Sequence, residues 1–313
     1  MGRLYPMTGD RAQRPDRGFT ACAHSWYEGE MTGLNVAARF VKKILIGLPL
    51  AVAAFLAALF AWGLIEAAGM TVTRIDFPHP DVPRVFEGFT VAFLSDFHFG
   101  PFFSARRTAG VVAAANALHP DLILLGGDYT DVAPDASLDF FRILGGLRAN
   151  CGVYAVLGNG DYKGKEEEIR ERLAANGIAV IEDRGLWIER PGGRIRLGGV
   201  RELGTWRYDL KPALAGTAAS DFVMLLVHQP DFVEVETDAR LDLVFSGHTH
   251  GGQVNLFGWS PFVPSSYGSR FRQGLVRVRN TWLFVSRGLG TVIVPLRVDS
   301  PPEIVLLTLR PGK

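Results

Sequence analysis

At 313 residues, with 48% hydrophobic and 21% charged side chains, the chain has material for one large core plus an extra segment and is not a disordered protein. Lys plus Arg number 33 against 32 Asp plus Glu, so no global field recruits DNA or RNA. Nucleic acid is not expected as a partner, and the two cysteines, Cys22 and Cys151, exclude a disulfide framework or a Cys-rich zinc site.

Residues 1–43 open on Arg3, Arg11, Arg14 and Arg17 among Gly, Pro and Asp, without apolar periodicity, which is the pattern of a flexible basic tail. From Ile44 to Ile65 no charge occurs, and a helix of that length crosses the hydrocarbon core of a bilayer. The run exceeds the ~7–15 apolar residues of a signal peptide, and no clean small-x-small cleavage site follows it. Residues 44–66 are therefore read as an uncleaved transmembrane anchor. Arg39, Lys42 and Lys43 precede it, whereas only Arg74 and Arg84 follow closely, so the positive-inside rule puts the N-terminus in the cytoplasm and the rest outside.

A Pro-containing linker is expected over 67–83 and a single domain over 84–313. Apolar runs at 89–94, 122–125 and 153–157 read as strands, separated by helical stretches near 105–118 and 138–147, which indicates α/β layering. A third helix near 165–175 opens on Glu166, Glu167 and Glu168, which suits a helix N-terminus. Strands follow at 186–188, 195–197, 222–227, 243–245, 275–278, 282–285 and 304–309.

Polar residues recur where these strands end, the place where α/β sheets bind ligands. Asp96 and His98 stand two residues apart after the first strand, so both side chains can project to the same side. Asp128 follows LILLGG, whose last glycine permits a tight turn, and a carboxylate there can bridge two metals. Asn159 ends VLGN and offers a neutral amide oxygen; His228 caps VMLLV; His248 and His250 follow VFSG. A lone histidine is ordinarily a hydrogen-bonded core or surface group, and His24, His79 and His119 are assigned that role. Two aspartates, an asparagine and four histidines at successive strand ends have no such separate accounts. The aromatics Phe97, Phe99, Phe102 and Phe103, and the loop 257–267 with Trp259 and Phe262, serve either core packing or contact with acyl chains.

The ordered motifs Asp96-Phe-His98, Gly127-Asp128, Gly158-Asn159-Gly160-Asp161, His228 and Gly247-His248-Thr-His250 resemble the calcineurin-like metallophosphoesterase superfamily, and within it the membrane-anchored bacterial YkuE-like and YaeI-like branch. The resemblance extends from about residue 77 to 309. It implies a four-layer α/β/β/α sandwich of two mixed sheets behind one transmembrane helix, in the bacterial inner membrane. It also implies two divalent ions, one held by Asp96, His98, Asp128 and His250, the other by Asp128, Asn159, His228 and His248. Mixed carboxylate and imidazole donors suit Mn, Fe or Zn. The implied reaction is attack of a metal-bridging hydroxide on phosphorus, with Arg201 and Gln253 as candidate phosphate contacts.

One member of the series departs from the family. Gly160 stands where relatives carry the histidine that protonates the leaving alkoxide, and Asp161, which would orient that histidine, lacks its partner. General acid catalysis contributes about 10²–10⁴-fold. A phosphate leaving group, with a second pKa near ~6, departs without it. The expected substrate is therefore a phosphodiester or diphosphate, including lipid-linked ones such as UDP-2,3-diacylglucosamine. The alternative is a metal-binding pseudoenzyme that recognises lipid or a partner.

Overall fold

The computed structural model describes residues 18–205 and 208–312. The chain divides into two compact units, Met1–Ala58 and Leu59–Lys313. Helix α1 runs from Gly18 to Ala68, and its stretch Ala38–Ala68 is long and apolar enough to cross a membrane, with a mean hydropathy of 2.6. Residues 18–43 are thus helical rather than the expected loose tail. An apolar helix supplies a nucleus to which each upstream residue adds one hydrogen bond without repeating the cost of nucleation. Residues 1–17 of that tail lie outside the described residues.

The second correction concerns 67–83. Instead of a linker, it holds strand β1 (Thr71–His79), which pairs in parallel with β12 (Glu303–Pro311) at the edge of a sheet. The edge position tolerates Pro78 within the strand. Its partner lies at the far end of the chain, so no local signal announces the pairing.

Between these strands the order is β2 (Thr90–Leu94), α2 (Ala105–Ala117), β3 (Leu122–Leu125), α3 (Leu138–Leu144), β4 (Val153–Ala155), α4 (Glu166–Ala175), β5 (Ala179–Val180), β6 (Arg184–Arg190), β7 (Gly193–Gly199), α5 (Leu210–Ala213), β8 (Val223–Leu226), α6 (Phe232–Val235), β9 (Leu243–Ser246), β10 (Gly274–Val278) and β11 (Thr281–Val285). One six-stranded sheet has the order β1-β12-β2-β3-β4-β5 and the other β10-β11-β9-β8-β7-β6. Both are mixed: β12 is antiparallel to β2, and β10 to β11, among otherwise largely parallel neighbours.

Side chains along a strand alternate between faces, and both faces are apolar here. Val91 and Phe93 of β2, Val305 and Leu307 of β12, Met224 and Leu226 of β8 and Phe245 of β9 meet between the two sheets. The opposite residues of the first sheet, Ala92, Leu94, Ile123 and Leu125, lie under α2, α3 and α4 through Val111, Leu144 and Leu173. Val223, Leu225 and Val244 of the second sheet pack likewise on α5 and α6 through Ala213 and Phe232. The expected four-layer α/β/β/α sandwich results, with two adjacent sheets presenting their strand ends together.

Candidate metal centre

Each strand that ends in a motif delivers its polar residue to one buried cluster. Asp96, His98, Asp128, His248 and His250 all adopt left-handed backbone, with φ of 56°, 48°, 55°, 71° and 53°. Such conformations cost on the order of 1–3 kcal/mol each and persist only where surrounding structure over-determines them. The chain supplies that structure: Asp96 N–H donates to Gly127 O at 3.0 Å, His98 N–H to Asp128 O at 3.0 Å, and His248 N–H to the Asp96 carboxylate at 3.0 Å.

The side chains converge from opposite sides. His98 Nε2 lies 3.1 Å from His250 Nε2 and 3.4 Å from Asp128 Oδ2, and His250 Nε2 lies 3.6 Å from Asp96 Oδ1. On the other side, His228 Nε2 is 3.1 Å from Asn159 Oδ1, 3.2 Å from His248 Nδ1 and 3.5 Å from Asp128 Oδ2. Asp128 Oδ2 therefore sits between the two sets. Two overlapping groups, Asp96–His98–His250 and Asp96–Asp128–His228, each gather ligand atoms within 4.8 Å of one another. All seven residues named from the sequence are brought together.

The cluster's second contacts fit metal binding. His98 Nδ1 faces Asp131 Oδ1 at 2.8 Å, and His228 Nδ1 faces the Gly126 carbonyl at 2.7 Å. Both acceptors hold a proton on Nδ1 and point Nε2 into the cluster. Burial there opposes a second proton, but Asp128 and the other nearby carboxylates outweigh it and raise both histidines, favouring a second proton whose place a metal would take. Burial opposes ionisation of Asp128, but His228 and His98 outweigh it and hold the carboxyl far below the usual range. Burial, together with His228, lowers His248 to about 4, and burial with His98 and Arg297 keeps His250 well below the ordinary value. The last two histidines are neutral at pH 7 and have lone pairs to offer.

Asp161 has a different task from the one its motif suggests. Its carboxylate accepts N–H bonds from Asp128 at 2.8 Å, Tyr129 at 3.0 Å and Gly158 at 2.9 Å, fully buried. Burial and the nearby Asp128 carboxylate push its pKa up to about 7. These contacts shape the Asp128 turn. Asp161→Ala leaves three buried donors unpaired, each worth about 1–3 kcal/mol, so urea unfolding is expected to register a loss of about 3 kcal/mol or more. A loss below about 1 kcal/mol would refute this role. Gly160 N–H donates to Asp128 Oδ1 at 2.7 Å, and a Cβ added there would lie 2.9 Å from that oxygen.

The two weaker candidates sit apart from the convergence. Arg201 Nε lies 3.2 Å from Asp183 Oδ2, and its side chain lines a groove with Arg170, Glu182 and Arg184. The Gln253 amide is engaged with backbone: Nε2 donates to Val292 O and Val294 O, and Oε1 accepts from Val292 N–H. Two contributors carry little sequence signal. Asp131 is marked only by being an acid close after Asp128, and Arg297, fully buried, donates to Gly290 O at 2.6 Å and approaches His250 Nδ1 at 3.4 Å.

Residues 89–252 match the family model described as calcineurin-like phosphoesterase. The chain is 35% identical over 229 residues to the phosphodiesterase YaeI of Escherichia coli (strain K12), covering 71% of this chain and 82% of that one. It is 31% identical over 234 residues to YkuE of Bacillus subtilis (strain 168), an uncharacterized metallophosphoesterase, covering 73% of this chain and 82% of that one. A transmembrane protein with metallophosphoesterase domain from Danio rerio is 31% identical over 269 residues, covering 81% of this chain and 61% of that one. Among solved structures, the 5'-nucleotidase precursor from Thermus thermophilus is similar with a TM-score of 0.46 at 12% identity, covering 70% of this chain and 54% of that chain.

Proposed function

This chain belongs to the calcineurin-like phosphoesterase family, and on that premise we propose that it cleaves a phosphodiester or diphosphate bond at a two-metal centre held by Asp96, His98, Asp128, Asn159, His228, His248 and His250. The observation that carries the proposal is the convergence of these oxygen and nitrogen donors around Asp128 Oδ2. A donor set of carboxylate, amide and imidazole groups suits Mn, Fe or Zn. Bound divalent ions supply Lewis acidity to phosphoryl oxygens and lower the pKa of water to about 7.

The chain's own residues then have defined duties. Asp131 and the Gly126 carbonyl hold His98 and His228 in the ligating tautomer. Asp161 accepts the Asp128 backbone N–H and so holds the turn, and the Gly160 N–H donates to the Asp128 carboxylate. At position 160 there is no proton donor for a leaving group, which favours a substrate whose leaving group departs as a stable anion: a diphosphate or an activated diester. A lipid-linked diphosphate answers this requirement, and Ala38–Ala68 as a membrane anchor would hold the enzyme beside such a substrate; a UDP-linked lipid would require the domain to face the cytoplasm. Arg39, Lys42 and Lys43, in the first turns of that stretch, favour a domain outside the cytoplasm.

Gly160→His tests the leaving-group argument. The three atoms nearest an added Cβ all belong to the Asp128 carboxyl, so the substitution requires that ligand to shift by a few tenths of an ångström, and metal content is measured alongside the rates. Alkyl ester cleavage is expected to rise by about 10²-fold, and diphosphate cleavage by much less. Equal gains for both would discredit the argument. The second reading, a metal-binding recognition module, is favoured by Gly160 alone; it predicts bound metals and no turnover of any diester or diphosphate.

A further inference from the structure

Segment 261–264 contributes to two grooves, each of which has one candidate ligand histidine in its lining. On the His248 side lies the more polar groove, of about 440 Å³, lined by Gln229, Asp231, Ser265 and Ser266 together with Phe262, Val263 and Pro264 of the shared segment. On the His250 side lies a groove of about 190 Å³ whose walls are mostly carbon, from Val254, Phe262, Pro264, Val292 and Val294. A phosphodiester has two arms, and here one approach is polar and the other apolar.

The apolar groove is built rather than incidental. Its outer wall ends in Ile293, which is 90% exposed and held at φ 64°, a conformation that a β-branched residue rarely adopts. The Gln253 amide fixes that loop through its bonds to Val292 and Val294, and Gln253 O accepts from Val298 N–H at 2.9 Å. Phe262 lines the groove and is itself exposed, and Phe257, fully exposed at φ 54°, and Trp259 are further exposed aromatics of the same loop. Strain held in place at exposed apolar tips is characteristic of ligand sites, as are contiguous apolar rims. The same segment continues to Arg297, Asp299 and Ser300, whose backbone N–H groups bond Gly63 O and the Glu66 carboxylate at the end of the apolar helix. A dry cavity of roughly 150 Å³ is enough to hold benzene, so this groove has room for several methylenes.

We propose that the groove between 249–254 and 292–294 binds the hydrocarbon arm of an amphiphilic phosphodiester or diphosphate, while the polar arm lies on the His248 side. This rests on the two-metal reading above. Gln253, a candidate phosphate contact by sequence, becomes a positioning residue for the loop that walls the groove.

The test uses the full chain in nanodiscs, with Cys22 and Cys151 replaced by serine, Val294→Cys carrying an environment-sensitive fluorophore, and no turnover required. Octyl phosphate is expected to shift the emission to the blue and methyl phosphate to leave it unchanged. Equal responses to the two would overturn the proposal. So would emission that is already blue before ligand, whether it follows the presence of bilayer, which makes the rim a membrane-docking surface, or the chain concentration, which makes it a contact between copies. In the metal-loaded chain, the KM for a p-nitrophenyl octyl diester is expected at least ~10-fold below that of the methyl diester, and Phe262→Ser is expected to bring the ratio towards one. Turnover with equal KM for both esters sinks the groove alone; no turnover with a normal fluorescence shift sinks the hydrolase reading and spares the groove.

Discussion

Asp128→Asn is expected to lower turnover of an aryl phosphodiester by about 10³-fold or more while leaving the fold intact. Replacing a residue that merely supports a metal ligand lowers affinity or activity about 10–100-fold. Asp128 stands between the two ligand sets, with His98 at 3.4 Å and His228 at 3.5 Å from the same oxygen, so its charge serves both. Asparagine keeps an oxygen to accept the Gly160 N–H. It also removes the carboxylate that His228 and His98 hold ionised against burial, a loss that relief of the buried Asp96 and Asp161 offsets only in part, so the metal-free variant is expected to unfold several degrees below the parent. Steady-state rates and a thermal scan of the same preparation separate the two effects. A variant that keeps a tenth of the parent's rate would take Asp128 out of the chemistry.

Gly127→Ala is expected to have the largest effect on stability. Gly127 sits at φ 93°, and a Cβ there would collide with the Gly158 backbone, which cannot turn aside as a side chain can. The left-handed conformation costs about 1–2 kcal/mol for a residue with Cβ. Forced overpacking adds about 1–3 kcal/mol. A sum of about 3 kcal/mol or more is a large share of the ~5–15 kcal/mol that holds a native fold. Gly160→Ala is the control: its Cβ would stand 2.9 Å from Asp128 Oδ1, a carboxylate end that can move, so a loss below about 1 kcal/mol is expected. Denaturant midpoints of the two variants check this, and similar losses at both positions would contradict it.

Local patterns reveal most of the sandwich. The run 122–125 is β3 to the residue, and the helix read near 165–175 is Glu166–Ala175, because both carry their own apolar periodicity and boundaries. β1 escapes such a reading because its pairing with β12 joins Thr71 to Glu303, a contact with no trace in nearby sequence. At the centre, the seven ligand candidates are legible since each ends an apolar strand. The roles of Asp161 and Gln253 are not, because they depend on which backbone N–H and C=O groups lie opposite, and those come from segments tens of residues away. Asp131 and Arg297 stay hidden for the same reason: an acid in a loop and an arginine near the C-terminal strand look like surface charges until the fold buries their partners.

The central claim is that one buried cluster holds two metal ions. Elemental analysis of metal bound per chain, after loading with Mn or Zn and removal of excess, tests it most directly. Two ions per chain in the parent, falling to one or none when Asp128 or His228 is replaced, is the predicted result. A parent that binds at most one ion, or whose stoichiometry is unchanged by those replacements, would contradict it.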